Sequence, residues 1–457
     1  MQKIKIKNFG PIKDAEIVIT PLLVLIGEQA TGKSTIAKLI YFFKSLSNDF
    51  LSRYYASQDF RINLANDVIF ATREKFFDFF GSTFHMNDFS IVYYYNEIRS
   101  ITLSLTAKKR LDVHLSDDFF EKNYRLKLKE CKKILLNLRH EIDIEEQLTK
   151  RIVLEQKQIT LLHEFTDIIN NIFCNTHNDS SYIIAGRNAT IGYSNFFESM
   201  LAANLQKRLE DMGSKAFETK EQTIEETLML DFLQRVSKMR QLLNKSGDFE
   251  GIIKTASKNK KEKLTIAYSL IQKVIRGNYS SGTDEKIIIG SNKYVYLKNA
   301  SSGQQESIRI LQDAFIAINS DNNVLRIIEE PEAHIFPEAQ MYMLQLLTML
   351  LNNKEDNQLI ITTHSPYVLS VINNLMYAYK VGQSSPEMTN KIVNKMSWLA
   401  PKDVNAYMLT SANGAERIID DDLYMIKAER IDGVSEMLND DYEKLLNIEY
   451  EKENTEE

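Results

Sequence analysis

A glycine-rich segment near the N-terminus has the residue types and spacing that hold a chain of phosphates. It reads GEQATGKST, with four residues between Gly27 and Gly32 and with Lys33 and Ser34 directly after them. Glycines let backbone N–H groups turn inward around phosphate oxygens, and the helix start adds partial positive charge. Lys33 is expected to reach the β and γ phosphates, and the Ser34 hydroxyl is expected to bind Mg²⁺. The residues predicted to contact a nucleoside triphosphate here are Gly27, Gln29, Ala30, Thr31, Gly32, Lys33, Ser34 and Thr35.

Two carboxylates and one histidine stand where later strands are predicted to end. Glu329 and Glu330 follow the apolar run VLRII, and His364 ends LIITTH. Glu329 is expected to hold Mg²⁺, usually through water, and Glu330 to orient the attacking water. A neutral His364 imidazole is expected to bond a γ-phosphate or that same water. The alternatives are ordinary exposed glutamates at a strand end and a buried structural histidine, and the phosphate loop favours the catalytic interpretation.

A second small-residue segment, SSGQQE at 301–306, opens a helix-like run. Ser301 or Ser302, with Gln304 or Gln305 three residues later, has the pattern of a capping box, which explains the helix start by itself. A capping box does not explain why Ser-Ser-Gly stands just before the strand with two carboxylates and the strand-end histidine. Two interpretations therefore stay open, a helix cap and a second loop that contacts phosphate.

The elements that must position these residues are strands and helices in alternation. Residues 1–25 predict two alternating strands and a short apolar strand that ends in the glycine loop, and KSTIAKLIYFFKSL predicts the helix after it. Residues 90–115 predict further strands, and a helix separates the VLRII strand from the QLIITT strand. This alternation predicts an α/β fold with parallel strands. Arg326 is unusual inside such an apolar strand, and Glu332 is interpreted as a helix-start charge.

Residues 123–173 predict a long helical segment. Its apolar positions follow 3-and-4 spacing at Leu128, Cys131, Leu135, Leu138 and Ile142, and less regularly at Ile152, Ile159, Leu162 and Ile169. About 50 helical residues span roughly 75 Å, or half of that as a hairpin. Two interpretations stay open, a helical lobe packed on its own domain and a protruding arm for dimer or partner contacts.

Composition limits the class of protein. The chain has 457 residues, 44% apolar and 26% charged, which is typical of a globular protein with two or three domain-sized units. Cys131 and Cys174 have no metal-binding spacing and are too few for a disulfide scaffold, which fits a reducing cytoplasm. No run of about 18 apolar residues predicts a membrane helix, and the first ten residues alternate like a strand rather than a signal peptide. We expect a cytoplasmic protein with no membrane partner.

The net charge of −6 hides an acidic C-terminal region. Residues 416–457 contain 15 acidic and 5 basic residues, so the remaining chain is about +4. A run of this kind is usually a solvated, mobile surface. The alternative is a docking tail or a mask over a basic face.

The order of the motifs resembles that of ABC-type ATPases: phosphate loop, small-residue signature, acidic pair and histidine. ASSGQQ resembles the signature that this family usually writes LSGGQ. More narrowly, the chain resembles the RecF/SMC-like branch that includes the OLD-family ATPases, in the blocks IKIKNFGPIKDAEI, GEQATGKST, YIIAGR, ASSGQQE, EEPEAHIFPEAQ and ITTHSPYVL. The resemblance implies an ABC-type head, in which a mixed sheet with antiparallel N-terminal strands carries the phosphate loop and a helical insertion lobe. It also implies ATP and Mg²⁺ as cofactors.

The same resemblance implies that the signature acts in trans. In this family the signature caps the γ-phosphate bound to the other protomer, so a head-to-tail homodimer, or a higher homo-oligomer, encloses two ATPs. The signature residues are Ser301, Ser302, Gly303 and Gln304. By register Ser301 is the γ-phosphate serine and Ser302 replaces a glycine, and a slip of one residue exchanges them.

Further roles follow from matching positions. Arg187 lies near the site of the Q-loop and is expected to contact the nucleotide, and His334 falls in the D-loop region that crosses the dimer interface. Glu329 replaces the usual aspartate, so the Mg²⁺ geometry is expected to differ. Gln29-Ala30 replaces the common Asn-Gly of the phosphate loop.

The motifs divide the chain into six predicted segments. They are residues 1–115, the N-terminal half of the ATPase head; 116–178, a helical insertion; 179–195, a return strand to the head; 196–278, a helical lobe; 279–415, the C-terminal half of the head with signature, acidic pair and histidine; and 416–457, the acidic tail.

The implied function is an ATP-hydrolysing molecular switch. OLD nucleases carry a C-terminal Toprim domain, whereas the roughly 90 residues after His364 hold no matching acidic pattern. The chain therefore resembles the stand-alone ATPase subunits of two-gene antiphage systems, Septu-like or PARIS-like, in which a separate effector, here expected to be a nuclease, does the damage. The second hypothesis is a RecF/SMC-like ATPase of DNA repair that binds DNA directly. A transporter ATPase is disfavoured, because the signature lies too late in the chain and the helical insertion has no counterpart there.

Overall fold

The computed structural model describes most of the chain. The described residues are 1–57, 64–145, 147–192, 224–282, 284–291, 293–410, 414–427 and 439–445. Part of the helical lobe predicted over 196–278 and most of the acidic tail predicted over 416–457 lie outside these ranges. The predicted division into six segments stays a prediction.

Sixteen strands are described, in four sheets. They are β1 Gln2–Phe9, β2 Ile12–Ile19, β3 Leu22–Gly27, β4 Ser90–Tyr94, β5 Ser100–Leu105, β6 Leu111–Leu115, β7 Asp179–Ile183, β8 Asn278–Ser280, β9 Lys286–Gly290, β10 Lys293–Tyr296, β11 Val324–Glu329, β12 Gln358–Thr363, β13 Val404–Thr410, β14 Gly414–Arg417, β15 Ile419–Asp420 and β16 Met425–Ile426.

The described helices connect and cover these sheets. They are α1 Lys33–Ser57, α2 Leu64–Phe80, α3 Lys122–Ile144, α4 Leu148–Ile172, α5 Ala189–Gly192, α6 Ile224–Ser246, α7 Asp248–Thr255, α8 Lys258–Ile275, α9 Ser302–Asn319, α10 Pro337–Leu351, α11 Pro366–Gly382 and α12 Pro386–Ile392, and residues 439–445 are also helical. Over the described ranges, no helix is both long and apolar enough to cross a membrane.

The central sheet is mixed and has the order β14-β13-β3-β12-β11-β7. Its strands run parallel except for β14, which pairs antiparallel with β13. A second sheet, β2-β1-β4-β5-β6, is antiparallel throughout and contains the N-terminal strands. The predicted α/β fold, with a mixed sheet and antiparallel N-terminal strands, is confirmed.

The central strands are apolar on both faces because each face is covered. In β3, Leu22 and Val24 pack into a core with helices α8 to α11, whereas Leu23 and Leu25 pack into a core with α1, α2 and the antiparallel sheet. Continuous apolar strands of this kind are typical of parallel strands between two layers. The sheet is therefore the middle layer of the head.

The segment predicted as a long helix is a hairpin of α3 and α4. Leu128, Cys131, Leu135, Leu138 and Ile142 are buried, as their 3-and-4 spacing predicts. On α4 the prediction is partly wrong, because Ile152 and Ile159 are exposed while Ile169 is buried. The base of the hairpin packs into the core of the head, and its tip exposes Ile144 and Leu148. The hairpin thus combines a packed base with an exposed apolar tip.

Arg326, unusual in an apolar strand, belongs to a buried ion network. Its guanidinium donates to Asp313 Oδ2 at 2.5 Å and to Asp179 Oδ2 at 2.6 Å, and Arg235 of α6 donates to the same two carboxylates. Burial favours a higher pKa for Asp179, but the hydrogen bonds and charges of the two arginines outweigh it and lower that pKa. The network ties β7, β11, α6 and α9 together.

A buried histidine is expected to make the fold sensitive to acid. His177, between α4 and β7, is 8% exposed, and its Nε2 atom has no hydrogen-bond partner among the described residues. Burial, with the nearby Lys44 charge, lowers the pKa of His177 to about 3. An unfolded histidine has a pKa near 6.5, so between pH ~6.5 and ~3 the unfolded chain binds more protons and stability falls as the pH falls.

We predict that His177→Gln flattens this acid side of the stability profile. The free energy of unfolding of the wild type is expected to fall faster than that of the variant, by up to about 1.4 kcal/mol per pH unit. Urea titrations at pH 7, 6, 5 and 4 measure the difference. His140→Gln, at an exposed position of α3, is the control and should follow the wild type. Parallel profiles for wild type and His177→Gln would show that His177 is protonated equally in both states.

Candidate functional site

Three of the predicted motifs meet at one edge of the central sheet. Strands β3, β12, β11 and β7 lie side by side and point the same way. Ile26 pairs with Thr363, and Glu329 pairs with Thr362, so these strands end at the same level. The phosphate loop, His364 and the Glu329–Glu330 pair follow directly at this edge. Carboxyl ends of parallel strands are the usual place for ligands in open α/β sheets.

The phosphate loop runs from the end of β3 to the first residue of α1. Gly32 has φ +99°, and a Cβ there would lie 2.7 Å from Ile12 Cγ1, so glycine is required where the β1–β2 turn packs on the loop. Ala30 also has a left-handed φ of +61°. Its neighbour Thr31 donates from Oγ1 to the Glu28 carbonyl at 2.9 Å. A hydrogen bond between residues of the loop therefore helps to hold its conformation.

Lys33 is folded over this loop. Its Nζ atom donates to the Gly27 carbonyl at 2.9 Å and to the Glu28 carbonyl at 2.6 Å. Burial lowers the pKa of Lys33, and the nearby charges of Glu330 and Glu332 oppose that shift. The ammonium group is thus held next to the loop and within the field of two carboxylates, where an incoming phosphate chain would meet it.

Glu329 is tied to the neighbouring strand. Tyr182 donates its hydroxyl to Glu329 Oε1 at 2.6 Å, and the Ala185 N–H donates to Oε2 at 3.0 Å. Each carboxylate oxygen keeps a second lone pair, and Mg²⁺ in nucleotide sites retains waters and phosphate oxygens. Among the residues that the structure describes, no group of three acidic, histidine or cysteine side chains forms a metal cage. A hydroxyl from Ser34, half-buried on α1, with Glu329 acting through water fits Mg²⁺ bound together with a nucleotide.

Glu330 and His364 lie close together. Glu330 Oε1 lies 3.5 Å from His364 Nε2, and both side chains are more than a third exposed. Glu330 has a left-handed φ of +44°, and its N–H donates to the Thr362 carbonyl at 2.8 Å. Strained backbone of this kind is often found at active sites. The pair is placed to hold a water molecule at the edge of the sheet.

Glu332, interpreted from sequence as a helix-start charge, instead holds the histidine loop. Its Oε1 atom accepts the Thr363 hydroxyl at 2.5 Å and the His364 N–H at 3.0 Å. Burial raises the pKa of Glu332, although these hydrogen bonds oppose the shift. The position of Glu332 within EEPEAH did not indicate this role, because Thr363 and His364 stand at the end of a different strand, β12. Tyr182 was missed for the same reason.

Arg187 was expected to contact the nucleotide, but the structure places it inside the protein. Its side chain is fully buried, and its guanidinium donates to backbone oxygens of Ile184, Glu306, Glu329 and Glu330. A direct contact with ATP would require these hydrogen bonds to break. Arg187 therefore supports the backbone of Glu329 and Glu330, and in the structure its donors are used within the protein rather than for a nucleotide.

The SSGQQE segment forms the capping box that its sequence predicts. Ser301 Oγ accepts the Gln304 N–H at 3.4 Å, and Gln304 Oε1 accepts the Ser301 N–H at 3.2 Å. Ser301 and Ser302 are nevertheless exposed at the start of α9. A Cβ on Gly303 would lie 2.5 Å from the His334 carbonyl oxygen, so this glycine lets α9 touch the turn that follows Glu330. The cap is confirmed, and a contact with a second protomer stays a prediction.

Comparisons with known proteins give a family. A family model described as AAA_15, AAA ATPase domain, matches residues 1–369. No curated protein matches the chain.

Several solved structures are similar to the chain. One is an Smc head domain with an extended coiled coil, bound to the C-terminal domain of ScpA and derived from Pyrococcus furiosus; it has 11% identity and a TM-score of 0.34, and the match covers 96% of this chain and 100% of that one. Another is the SMC head domain from Thermotoga maritima, with 10% identity, a TM-score of 0.30 and coverage of 81% and 90%. A third is the recombination mediator protein RecF with ATPrS, with 11% identity, a TM-score of 0.26 and coverage of 91% and 97%.

Proposed function

Because the chain belongs to this family of AAA ATPase domains, we propose that it is a Mg²⁺-dependent ATPase that works as a molecular switch. The observation that carries the proposal is the sheet edge at which the phosphate loop, Glu329 and the Glu330–His364 pair meet. Lys33 and the loop N–H groups hold the phosphates, and Ser34 and Glu329 hold Mg²⁺. When bound, Mg²⁺ neutralises charge on the β and γ phosphates.

The residues of the chain then divide the work of hydrolysis. Glu330 orients the attacking water and accepts its proton, and His364 donates a hydrogen bond to the γ-phosphate region. Glu332 keeps His364 in place through its loop. Positioning and electrostatics carry most of the rate in phosphoryl transfer, so small displacements of these groups matter.

The switch is a head-to-tail dimer around two ATPs. Each chain has one phosphate loop and one exposed helix start at Ser301 and Ser302, whose N–H groups and dipole favour an anion. In the ABC-type ATPases that the motifs resemble, this segment covers the γ-phosphate of the partner. Closure on ATP then controls a separate effector, a nuclease, in antiphage defence. The effector part of the proposal is supported by the resemblance of the motif blocks alone.

The variant Ser301→Asp tests whether Ser301 serves only as a helix cap or also contacts the γ-phosphate bound to the partner. Aspartate caps helices about as well as serine, so α9 is expected to keep its start. Its negative charge would face the γ-phosphate of the partner, so we predict that Mg-ATP no longer converts monomers to dimers, or no longer tightens a larger assembly. Light scattering with a non-hydrolysable ATP analogue measures the mass.

The wild type and Ser301→Thr, which keeps a capping hydroxyl, are the controls and should both respond to the nucleotide. If Ser301→Asp responds as they do, SSGQQE is a helix cap and the dimer has another interface. If the wild type binds ATP without any change in mass or shape, the switch itself is ruled out.

The second candidate is an ATPase that clamps DNA. Exposed basic side chains on α3 favour it, since Lys122, Arg125, Lys129 and Lys133 recur at helical spacing. Contacts of this kind bind phosphate backbones and weaken steeply with salt. ATP-dependent and salt-dependent binding of bare duplex DNA, with no effector present, would favour this candidate over the effector switch.

A further inference from the structure

The buried side chain of Arg187 links the sheet edge at Glu329 and Glu330 to α9, which is called the signature helix because it begins in the SSGQQE segment. On one side, Arg187 Nη1 donates to the Glu329 carbonyl at 2.6 Å and Nη2 donates to the Glu330 carbonyl at 2.9 Å. On the other side, Nε donates to the Glu306 carbonyl at 3.1 Å and lies 3.4 Å from Glu306 Oε2. The Arg187 N–H also donates to Glu306 Oε2, at 3.1 Å. Glu306 belongs to the first turns of α9, and Glu330 is the proposed catalytic residue.

The chemistry of this link makes it stiff. A guanidinium is planar and offers its donors in a fixed fork, so its acceptors cannot shift independently. Both side chains are buried, Arg187 fully and Glu306 with 2% exposure. An ion pair out of water is costly to break, because the charge left behind has no water to replace its partner. We therefore expect a movement of the Glu330 backbone to move Glu306 as well.

A second contact joins the same two segments. Gly303 packs against the His334 carbonyl so closely that a Cβ would lie 2.5 Å from that oxygen. The start of α9 thus rests on the turn that begins at Glu330, as well as being held to it through Arg187. Because of these two contacts, we expect the signature helix and the turn that begins at Glu330 to move together.

We propose that Arg187 is a positioning residue that couples the ATP site of a protomer to its own signature helix. When a nucleotide and its water settle against Glu330, the Arg187–Glu306 link orders the start of α9. In the proposed head-to-tail dimer, α9 covers the other ATP, so each site prepares the opposite one. Such coupling is reciprocal by thermodynamic necessity. The consequence for the dimer rests on the proposed function, whereas the coupling within one protomer does not.

The experiment isolates one protomer. Ser302→Arg places a bulky charge at the exposed start of α9, and this charge is expected to block dimerisation in the proposed arrangement. The variant leaves the Ser301–Gln304 capping box intact. In this background, hydrogen exchange of residues 303–310 is measured with and without a non-hydrolysable ATP analogue and Mg²⁺. We expect the nucleotide to slow exchange by about 5-fold or more, the lower range of known couplings.

Glu306→Gln in the same background is the decisive variant. It keeps the size of the side chain, whereas replacing Arg187 itself is expected to prevent folding. Nucleotide affinity should stay within about twofold of the background, since Glu306 is not among the residues proposed to bind the nucleotide. The slowing of exchange should be reduced at least about twofold, because the variant removes the charge of the Arg187–Glu306 pair, whereas the bond from Arg187 Nε to the Glu306 carbonyl remains. Glu285→Gln is the matched control, because Glu285 pairs with Arg309, another fully buried arginine of α9, on the side of the β8–β10 sheet.

Each outcome decides the proposal. The proposal is supported if the nucleotide slows exchange in the background and in Glu285→Gln, but slows it at least about twofold less in Glu306→Gln. The proposal is overturned if the slowing is unchanged in Glu306→Gln, if it is reduced equally in Glu285→Gln, or if it never occurs in the Ser302→Arg background. None of these results depends on dimer formation, so a wild type that ignores ATP in light scattering contradicts the proposed switch and leaves the coupling test intact.

Discussion

Glu330→Gln is expected to slow ATP hydrolysis by about 10²- to 10⁴-fold, the range that a positioned general base contributes. Glu330 lies 3.5 Å from His364 at the exposed edge of the sheet, where an attacking water can reach both groups. Glutamine keeps the shape of the side chain, and the backbone bonds of residue 330 to Thr362 and Arg187 do not involve the carboxylate. The variant should therefore fold and bind ATP normally and accumulate in the ATP-bound dimer.

The measurements are phosphate release under single-turnover conditions, nucleotide binding by titration, and mass by light scattering. Glu338→Gln, at an exposed glutamate in the first turn of α10, is the matched control and should hydrolyse ATP like the wild type. Hydrolysis by Glu330→Gln within about threefold of the wild type would remove Glu330 from the proposed mechanism. A loss of ATP binding in this variant would instead mean that the carboxylate supports the loop around Lys33.

Lys33→Ala is expected to weaken ATP binding by about 100-fold or more. A hydrogen bond that involves a charged group contributes about 1.5–3 kcal/mol, and the ammonium group is expected to make at least two with the β and γ phosphates. In the structure Nζ lies beside the loop, and two of its three donors bind the Gly27 and Glu28 carbonyls, so at least one of these bonds must be exchanged for a bond to phosphate. Titration with a fluorescent ATP analogue measures the change.

Lys38→Ala controls for the loss of a lysine from the same helix. Lys38 pairs with Glu225 of α6 and lies more than one turn beyond the phosphate loop. We expect it to bind ATP within about threefold of the wild type. An equal loss of affinity in both variants would indicate general damage to α1, and unchanged affinity in Lys33→Ala would show that the loop holds no triphosphate.

Much of the site was predictable because its signals are local. The turn from Gly27 to Thr35 is made by neighbouring residues, and the apolar strand before it and the amphipathic helix after it are read from spacing. The capping box of Ser301 and Gln304 is equally local, since its partners are three residues apart. The alternation of strands and helices also predicted that Glu329, Glu330 and His364 would follow parallel strands.

The predictions that missed depend on residues far apart in the sequence. Ile152 and Ile159 continue the apolar spacing of α3 onto α4, but within the described ranges no element of the head covers them, so they are exposed. Glu332 looks like a helix-start charge until β12 places Thr363 and His364 beside it. Arg326 looks out of place in its strand until α9 and β7 supply its carboxylates.

The sequence alone determined the family, the phosphate-loop pattern and the alternation of strands and helices that carries the candidate catalytic residues, because backbone conformation and apolar periodicity are properties of short stretches. Only the tertiary structure decided the use of Arg187, whose partners Glu306 and Glu329 are 119 and 142 positions away. A buried guanidinium must find acceptors wherever the fold provides them, since leaving its donors unpaired is costly. Here the acceptors lie between the acidic pair and the signature helix, and no local sequence pattern predicted this position for Arg187.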